Sequence, residues 1–346
     1  MVAPSAVIVR LALIVVASTF ALFVSEFSVR LAVPKYNPAG HITFFADPVT
    51  GVLLGKPNSK TRQIKNSGDY DVAVVFNRHG LRDRRDIAAG RSHDLYVVGD
   101  SFAFGWGVER DERFSNRLEQ LTRRHVYNIA TTANLDGYER LLAYSAEQGA
   151  DIRDIILTIN MIDDVLDYGA NAEQVAKPVA KSMQATKAEL TLQAVKVFLL
   201  QNSALYFLTT SAIGSVDVFR RVLTWLGFVK TVNIVSGGLP GDSAIRATAG
   251  RILTLSEKYN LIIFIIPSRG LWVGGNRKSA VEAHEKFVNE LRRLGLSPVD
   301  MRPVMEATGD PMRFHFLNDG HWRSKGHALA ASVLADAVKS QPQRPE

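Results

Sequence analysis

The chain of 346 residues carries 41 Lys and Arg against 34 Asp and Glu, a net charge of +7, with 47% hydrophobic residues and no cysteine. That length fits one large domain or two small ones with a substantial core, the apolar content excludes bulk disorder, and the missing thiols exclude disulfides, cysteine nucleophiles and thiolate zinc sites. The basic residues fall in ones and twos, as in Arg82-Asp-Arg-Arg85, Arg123-Arg124 and Arg292-Arg293, so no nucleic-acid partner is expected and an anionic membrane or acidic glycan suits the charge better.

Residues 2–25 are apolar except for Arg10 and a few small polar side chains. A helix needs about 20 apolar residues to cross a bilayer, a length reached here with Arg10 snorkelling to the near interface. A cleaved signal peptide would need a small-residue site after the apolar run. Ser25-Glu-Phe-Ser-Val-Arg30 offers none, so residues 1–33 are read as an uncleaved single-span anchor. Arg10 on one flank and Arg30 and Lys35 on the other leave its orientation open.

Residues 34–90 read as a connector with an N-terminal strand extension. Pro34 to Gly68 is rich in Pro, Gly and Asn, with room for one short strand or hairpin, and Tyr70 to Phe76 has the β-branched content of a strand. Apolar strands then alternate with helices through 91–340. Tyr96 to Val98 precedes a helix in which Phe114, Leu118 and Leu121 share a face; Val126 to Ala130 precedes a helix over Tyr138 to Gln148; the strand Ile155 to Ile159 follows. Asn171 to Lys230 interrupts the alternation with a mainly helical insertion. Its apolar middle, Val195 to Leu226, reads as a cap on the core or as a surface that rests on a membrane or binds an acyl chain. The pattern resumes with Leu261 to Ile266, the amphipathic helix Val281 to Leu294, and an alanine-rich helix from Ala328 to Lys339. Strands buried on both faces with helical crossovers predict an α/β fold, a three-layer α/β/α sandwich with a mostly parallel, flavodoxin-like sheet. Ligands in such sheets sit at the carboxyl ends of the strands, where Ser101 and the loops after residues 130 and 159 open.

Two segments carry chemistry. Asp94 to Val98 runs into Gly99-Asp100-Ser101, a tight turn able to present a serine hydroxyl beside backbone N–H groups. Far along the chain, Leu317-Asn-Asp-Gly-His-Trp-Arg-Ser-Lys-Gly-His327 places Asp319 and His321 in a loop ahead of the last helix. A serine, a histidine as general base and an aspartate that orients it form a nucleophilic triad. Asp100 is read as a turn residue, His327 as structural, and Trp322 as either a pocket wall or a packing residue. The eight histidines show no metal-ligand spacing, so neither a metal nor another cofactor is expected.

Together these segments resemble the SGNH, or GDSL-type, hydrolases, in which serine follows Gly-Asp early and an Asp/His pair closes the domain. The run Val75-Phe-Asn-Arg-His-Gly-Leu-Arg-Asp83 is similar to one that precedes the serine block in membrane-anchored members. The spacing Asp319-Gly-His321-Trp322 is similar to that of the O-acetyltransferase subset. The resemblance implies Ser101, His321 and Asp319 as the triad, with oxyanion donors from the serine N–H, from a second block near Thr131 to Asn134, and from a third-block asparagine.

Two positions depart from the family. Ala133 stands where the second block has glycine, and its backbone N–H can still donate. Asp163 stands where the third block has asparagine, and an ionised carboxylate there repels a developing negative charge, whereas losing one such donor costs roughly 3–4 kcal/mol. Asn160, three residues earlier, is therefore expected to supply that donor.

The resulting expectation is a membrane-anchored serine esterase or O-acyltransferase that acts on an ester of a glycan, lipid or cell-wall component. It would sit at the inner (plasma) membrane with its main domain periplasmic, and as a transferase it would work with a multi-pass membrane O-acyltransferase partner. The alternative from a different class is a catalytically weak or inactive SGNH-like domain, a binding or assembly subunit of a membrane complex.

Overall fold

The computed structural model describes residues 4–168, 187–225 and 239–341. Contacts divide the chain into two units, a smaller one of residues 1–41, 64–68 and 184–229, and a larger one of the remainder.

The larger unit is built on a five-stranded sheet: β5 (Leu95–Val98), β6 (Val126–Asn128), β7 (Asp154–Asn160), β8 (Asn260–Ile266) and β9 (Val299–Asp300). Its spatial order is β6-β5-β7-β8-β9, and every adjacent pair is parallel. The order reverses between β5 and β7, so the crevice of this doubly wound sheet opens at their carboxyl ends.

The strands are apolar on both faces because both faces are covered. Tyr96, Val98, Ile155, Leu157, Ile263 and Ile265 point into one core with α4 (Leu135–Glu147), α8 (Asp242–Lys258) and α9 (Arg277–Arg293). Val97, Ile156, Ile262 and Phe264 alternate into the other, with α3 (Phe114–Thr122), α10 (Met301–Glu306) and α11 (Ser324–Ser340). This is the expected three-layer α/β/α sandwich. Ala330, Ala331 and Ala335 line the inner face of α11, small side chains that let it pack closely.

Two expectations shift. The strand expected at Tyr70 to Phe76 is β4 (Asp71–Val75), and it pairs with β3 (Lys60–Ile64) in a separate two-stranded sheet, next to the hairpin β1 (Phe44–Ala46) and β2 (Leu53–Gly55). In α3, Phe114 and Leu118 are fully buried, whereas Leu121 in the last turn is half exposed.

In the smaller unit, α1 (Pro4–Ala32) is long and apolar enough to cross a membrane, and its side chains are exposed from Val7 to Val24. It is grouped with α5 (Lys187–Asn202), α6 (Ala204–Ser215) and α7 (Asp217–Trp225), the described part of the helical insertion. Residues 171–186 and 226–230 of that insertion lie outside the described residues.

Candidate active site

The turn that carries Ser101 follows from glycine at two positions. A side chain on Gly99 would collide with Thr158 of β7 and with Ala103, so only glycine lets the chain leave β5 this close to its neighbour. Asp100 then caps the short helix α2 (Ser101–Phe104), its Oδ1 accepting from Phe102 N–H at 2.9 Å. Gly105, at φ 83°, ends that helix in the left-handed region. Ser101 is thus the first residue of a helix, where the amide has no partner inside the helix.

The run at 77–83 holds this turn in place. Asn77 Oδ1 accepts from His79 and Leu81 N–H, and Asp83 Oδ2 accepts from Asn128 N–H. The buried Arg82 guanidinium donates to the carbonyls of Phe104, Gly105 and Val108 at 3.1, 2.7 and 2.7 Å. The loop leaving α2 is therefore gathered around one cation.

The C-terminal loop is pinned as a narrow ladder. Phe316 N–H donates to His321 O, Arg323 N–H donates to Phe314 O, and His315 bridges Trp322. Arg269 Nη1 holds the Asp319 carbonyl at 2.8 Å. Inside the loop, Asp319 Oδ1 accepts from His321 N–H at 3.0 Å and from His321 Nδ1. His321 Nε2 meets Ser101 Oγ at 2.7 Å. With Nδ1–H donated to Asp319, Nε2 is left as the acceptor for the serine proton, the arrangement a general base requires. Ser101, His321 and Asp319 are thus brought together across 220 residues of sequence.

Three aromatic residues complete the surroundings of the triad, and sequence reasoning missed their roles. Tyr70 donates to Asp319 Oδ2 at 3.3 Å and accepts from Trp106 Nε1 at 2.8 Å. The Trp106 ring stacks on His321 at 5.7 Å, and Phe102 approaches the imidazole at 5.0 Å. Burial and the Asp319 charge push the Tyr70 phenol well above its usual value, so it stays a hydrogen-bond donor. Trp106 and Phe102 stand in the serine block itself. Tyr70 lies 249 residues from Asp319, and nothing local in the sequence marks it.

Two of the three expected oxyanion donors are already engaged. Asn160 Nδ2 donates to Asp100 Oδ2 at 2.8 Å and to Asp163 Oδ2 at 3.2 Å, while its Oδ1 accepts from Ile162 N–H. Ala133 N–H makes a bond to Thr131 O at 3.0 Å. The adjacent Asn134 caps α4, accepting from Gly137 N–H. Around Asn160 the carboxyl groups are crowded and buried. Burial lifts Asp163 above the usual carboxylate range, and it lifts Asp100 to about 6 despite the Asn160 bond. Asp164, bonded to Tyr138 and to Asn160 N–H, is pushed well up by burial and by Asp100.

Trp322 and His327 are packing residues. Trp322 is fully buried against Phe102 and Phe264. His327 lies in the first turns of α11, stacked on Phe114, and burial followed by the Arg113 charge holds its pKa down at about 3.

A family model described as "SGNH hydrolase-like domain, acetyltransferase AlgX" matches residues 261–346, which include Asp319 and His321. No curated protein matches the chain by sequence. Among solved structures, a member of the lipolytic protein G-D-S-L family from Veillonella parvula is similar at 10% identity and a TM-score of 0.41, over 72% of this chain and 99% of that one. A protein described as an SGNH hydrolase from Slackia heliotrinireducens is similar at 12% identity and a TM-score of 0.39, over 71% of this chain and 99% of that one.

Proposed function

We propose that the chain, which carries an SGNH hydrolase-like domain of the AlgX type, is a serine esterase or O-acyltransferase acting on an ester of a glycan, lipid or cell-envelope component. The observation that carries this reading is the unbroken line from Ser101 Oγ through His321 to Asp319. Ser101 Oγ attacks the ester carbonyl carbon as His321 Nε2 takes its proton. The tetrahedral intermediate then collapses, His321 protonates the departing alcohol, and an acyl-enzyme remains on Ser101. Water or a sugar hydroxyl, deprotonated by the same imidazole, takes the acyl group.

For the oxyanion, the Ser101 N–H supplies one donor. Asn160 supplies a second by turning an amide hydrogen from Asp100 or Asp163 to the oxyanion, and burial, which raises the Asp163 pKa, lessens the repulsion of its carboxylate. The donor role expected for Ala133 requires its bond to Thr131 O to open.

In this reading α1 is the anchor in the inner membrane and the sandwich lies in the periplasm. A multi-pass membrane O-acyltransferase passes it acyl groups if it works as a transferase. A second reading, a catalytically weak SGNH-like domain that serves as an assembly subunit, is favoured by the engagement of both Asn160 amide hydrogens. Turnover of a short-chain aryl acetate by the detergent-solubilised full chain separates the two, with and without an oligosaccharide acceptor. Turnover that disappears in Ser101→Ala and His321→Ala supports the enzyme, and acetylated acceptor identifies a transferase. A folded wild type as inert as both variants supports the assembly subunit.

A further inference from the structure

In the smaller unit, α1 is joined to the helical insertion by a cluster of polar bonds at its carboxyl end. Glu26 accepts from Ser203 Oγ at 2.8 Å and from the N–H groups of Ala204 and Leu205 at 2.9 Å each. Arg30 donates to Glu26 at 2.7 Å and to Asn202 O at 2.6 Å. A carboxylate of α1 thus caps the first turn of α6. At the other end of α6, Asn66 Nδ2 donates to Thr210 Oγ1 at 3.1 Å, and Gly214 lies against the Asn66 carbonyl, where a side chain would collide.

This connection fixes a depth. A carboxylate and a guanidinium are costly in hydrocarbon, so the Glu26–Arg30 pair belongs at the edge of the bilayer that α1 enters. The start of α6 is bound to that pair and shares its level. Around it, α5 to α7 expose apolar side chains. Val218, Phe219, Val222 and Trp225 recur along one face of α7 at 68, 58, 47 and 83% exposure. Val195 and Phe198 of α5 are exposed as well. Lys196 and Arg221 are exposed cations among them, and a Trp at a helix end suits an interfacial position.

We propose that α5 to α7 form an interfacial foot, seating these apolar side chains in the lipid–water boundary of an anionic membrane beside α1. The occupant is lipid because the face belongs to the same compact unit as the exposed apolar helix and is flanked by cations complementary to anionic headgroups. This rests on the reading of α1 as a membrane span, and the test separates the two.

The chain has no cysteine, so single labels need no background substitution. The full chain would be reconstituted in vesicles of phosphatidylcholine and phosphatidylglycerol, with an environment-sensitive fluorophore at Phe219→Cys, at Val222→Cys or at Phe20→Cys. The expected result is strong quenching at positions 219 and 222 by lipids spin-labelled near the headgroup, weaker quenching by deep-labelled lipids, and the reverse order at position 20. In vesicles of phosphatidylcholine alone, quenching at 219 and 222 falls while that at 20 is unchanged. Labels at 219 and 222 that lipid does not quench and aqueous iodide does, with position 20 still quenched, overturn the foot while the anchor stands, and assign the face to a protein partner. A label at position 20 that iodide reaches overturns the anchor, and the foot with it.

Discussion

The Trp106 indole stacks on the His321 imidazole at 5.7 Å, and the same indole donates to the Tyr70 hydroxyl that donates to Asp319. One side chain therefore limits the tilt of His321, the proposed general base, and, through Tyr70, supports the Asp319 carboxylate bonded to it. Asp319 has one oxygen on His321 and the other on Tyr70. On the proposed mechanism Tyr70 is a positioning residue, since it acts through Asp319.

Tyr70→Phe removes one hydrogen bond from Asp319 and one acceptor from Trp106. A hydrogen bond of this kind is worth about 1 kcal/mol net, which corresponds to a loss of roughly tenfold or less in kcat. KM stays unchanged, because no substrate contact is lost. Steady-state kinetics on an aryl acetate measure the split, and a change confined to KM contradicts the positioning role.

Asp163→Asn places at this position the amide that the resemblance to SGNH hydrolases leads one to expect there. Burial raises the Asp163 pKa, with the charge of His321 pulling the other way. The neutral form is therefore present at low pH and is lost as pH rises through the raised value. Wild-type activity declines on that alkaline side, and the variant keeps its rate there, with a gain of up to about 100-fold. A pH–rate profile of the two proteins tests this, and a variant slower than wild type at every pH contradicts it.

The sequence and the structure agree where information is local. Leu261 to Ile266 reads as a strand because an unbroken apolar run bounded by Pro267 has few other uses, and β8 runs from Asn260 to Ile266. Gly99, Asp100 and Ser101 announce a turn, and Asp319 and His321 stand close enough in sequence to be paired by inspection. The engagement of Asn160 was not legible. Its bond to Asp163 is local, but its bond to Asp100 joins positions 60 residues apart and depends on β5 and β7 lying side by side. The pairing of β4 with β3 away from the main sheet was hidden too, because a β-branched run specifies a strand and not its neighbour. The charges of Glu26 and Arg30 mark the end of the apolar run in sequence, yet α1 continues to Ala32, and both side chains find partners beyond the anchor segment.

His327 makes the fold sensitive to acid. Burial and the neighbouring Arg113 hold its pKa near 3, against 6.5 for a free imidazole. The unfolded chain therefore binds the proton more tightly, and the stability contribution, complete above pH 6.5, is lost as pH falls toward 3. Between pH 7 and pH 5 the loss is roughly 2 kcal/mol. His327→Asn keeps an acceptor for Phe114 N–H and removes this loss. Urea denaturation of both proteins at the two pH values gives the difference, and an equal loss in both contradicts the assignment.

Arg82→Ala removes the guanidinium donor from the carbonyls of Phe104 and Val108 in the core and leaves Gly105 O with only the Val108 N–H. Each unsatisfied buried group costs about 1–3 kcal/mol, so the fold loses roughly 3 kcal/mol or more. Ser101 sits at the start of the helix whose exit these carbonyls line, so kcat falls as well. Arg82→Lys recovers part of the stability with fewer bonds, because an ammonium cannot reproduce the guanidinium fork. Thermal melts and kinetics on the three proteins check the order wild type, Lys, Ala.

The most direct test of the triad is the intact mass of the full chain after exposure to a fluorophosphonate, which reacts with an activated serine hydroxyl. One adduct per chain, located on Ser101, is expected, with labelling absent in Ser101→Ala and strongly slowed in His321→Ala. A folded wild type that takes no label, or one labelled equally well without His321, would contradict the triad.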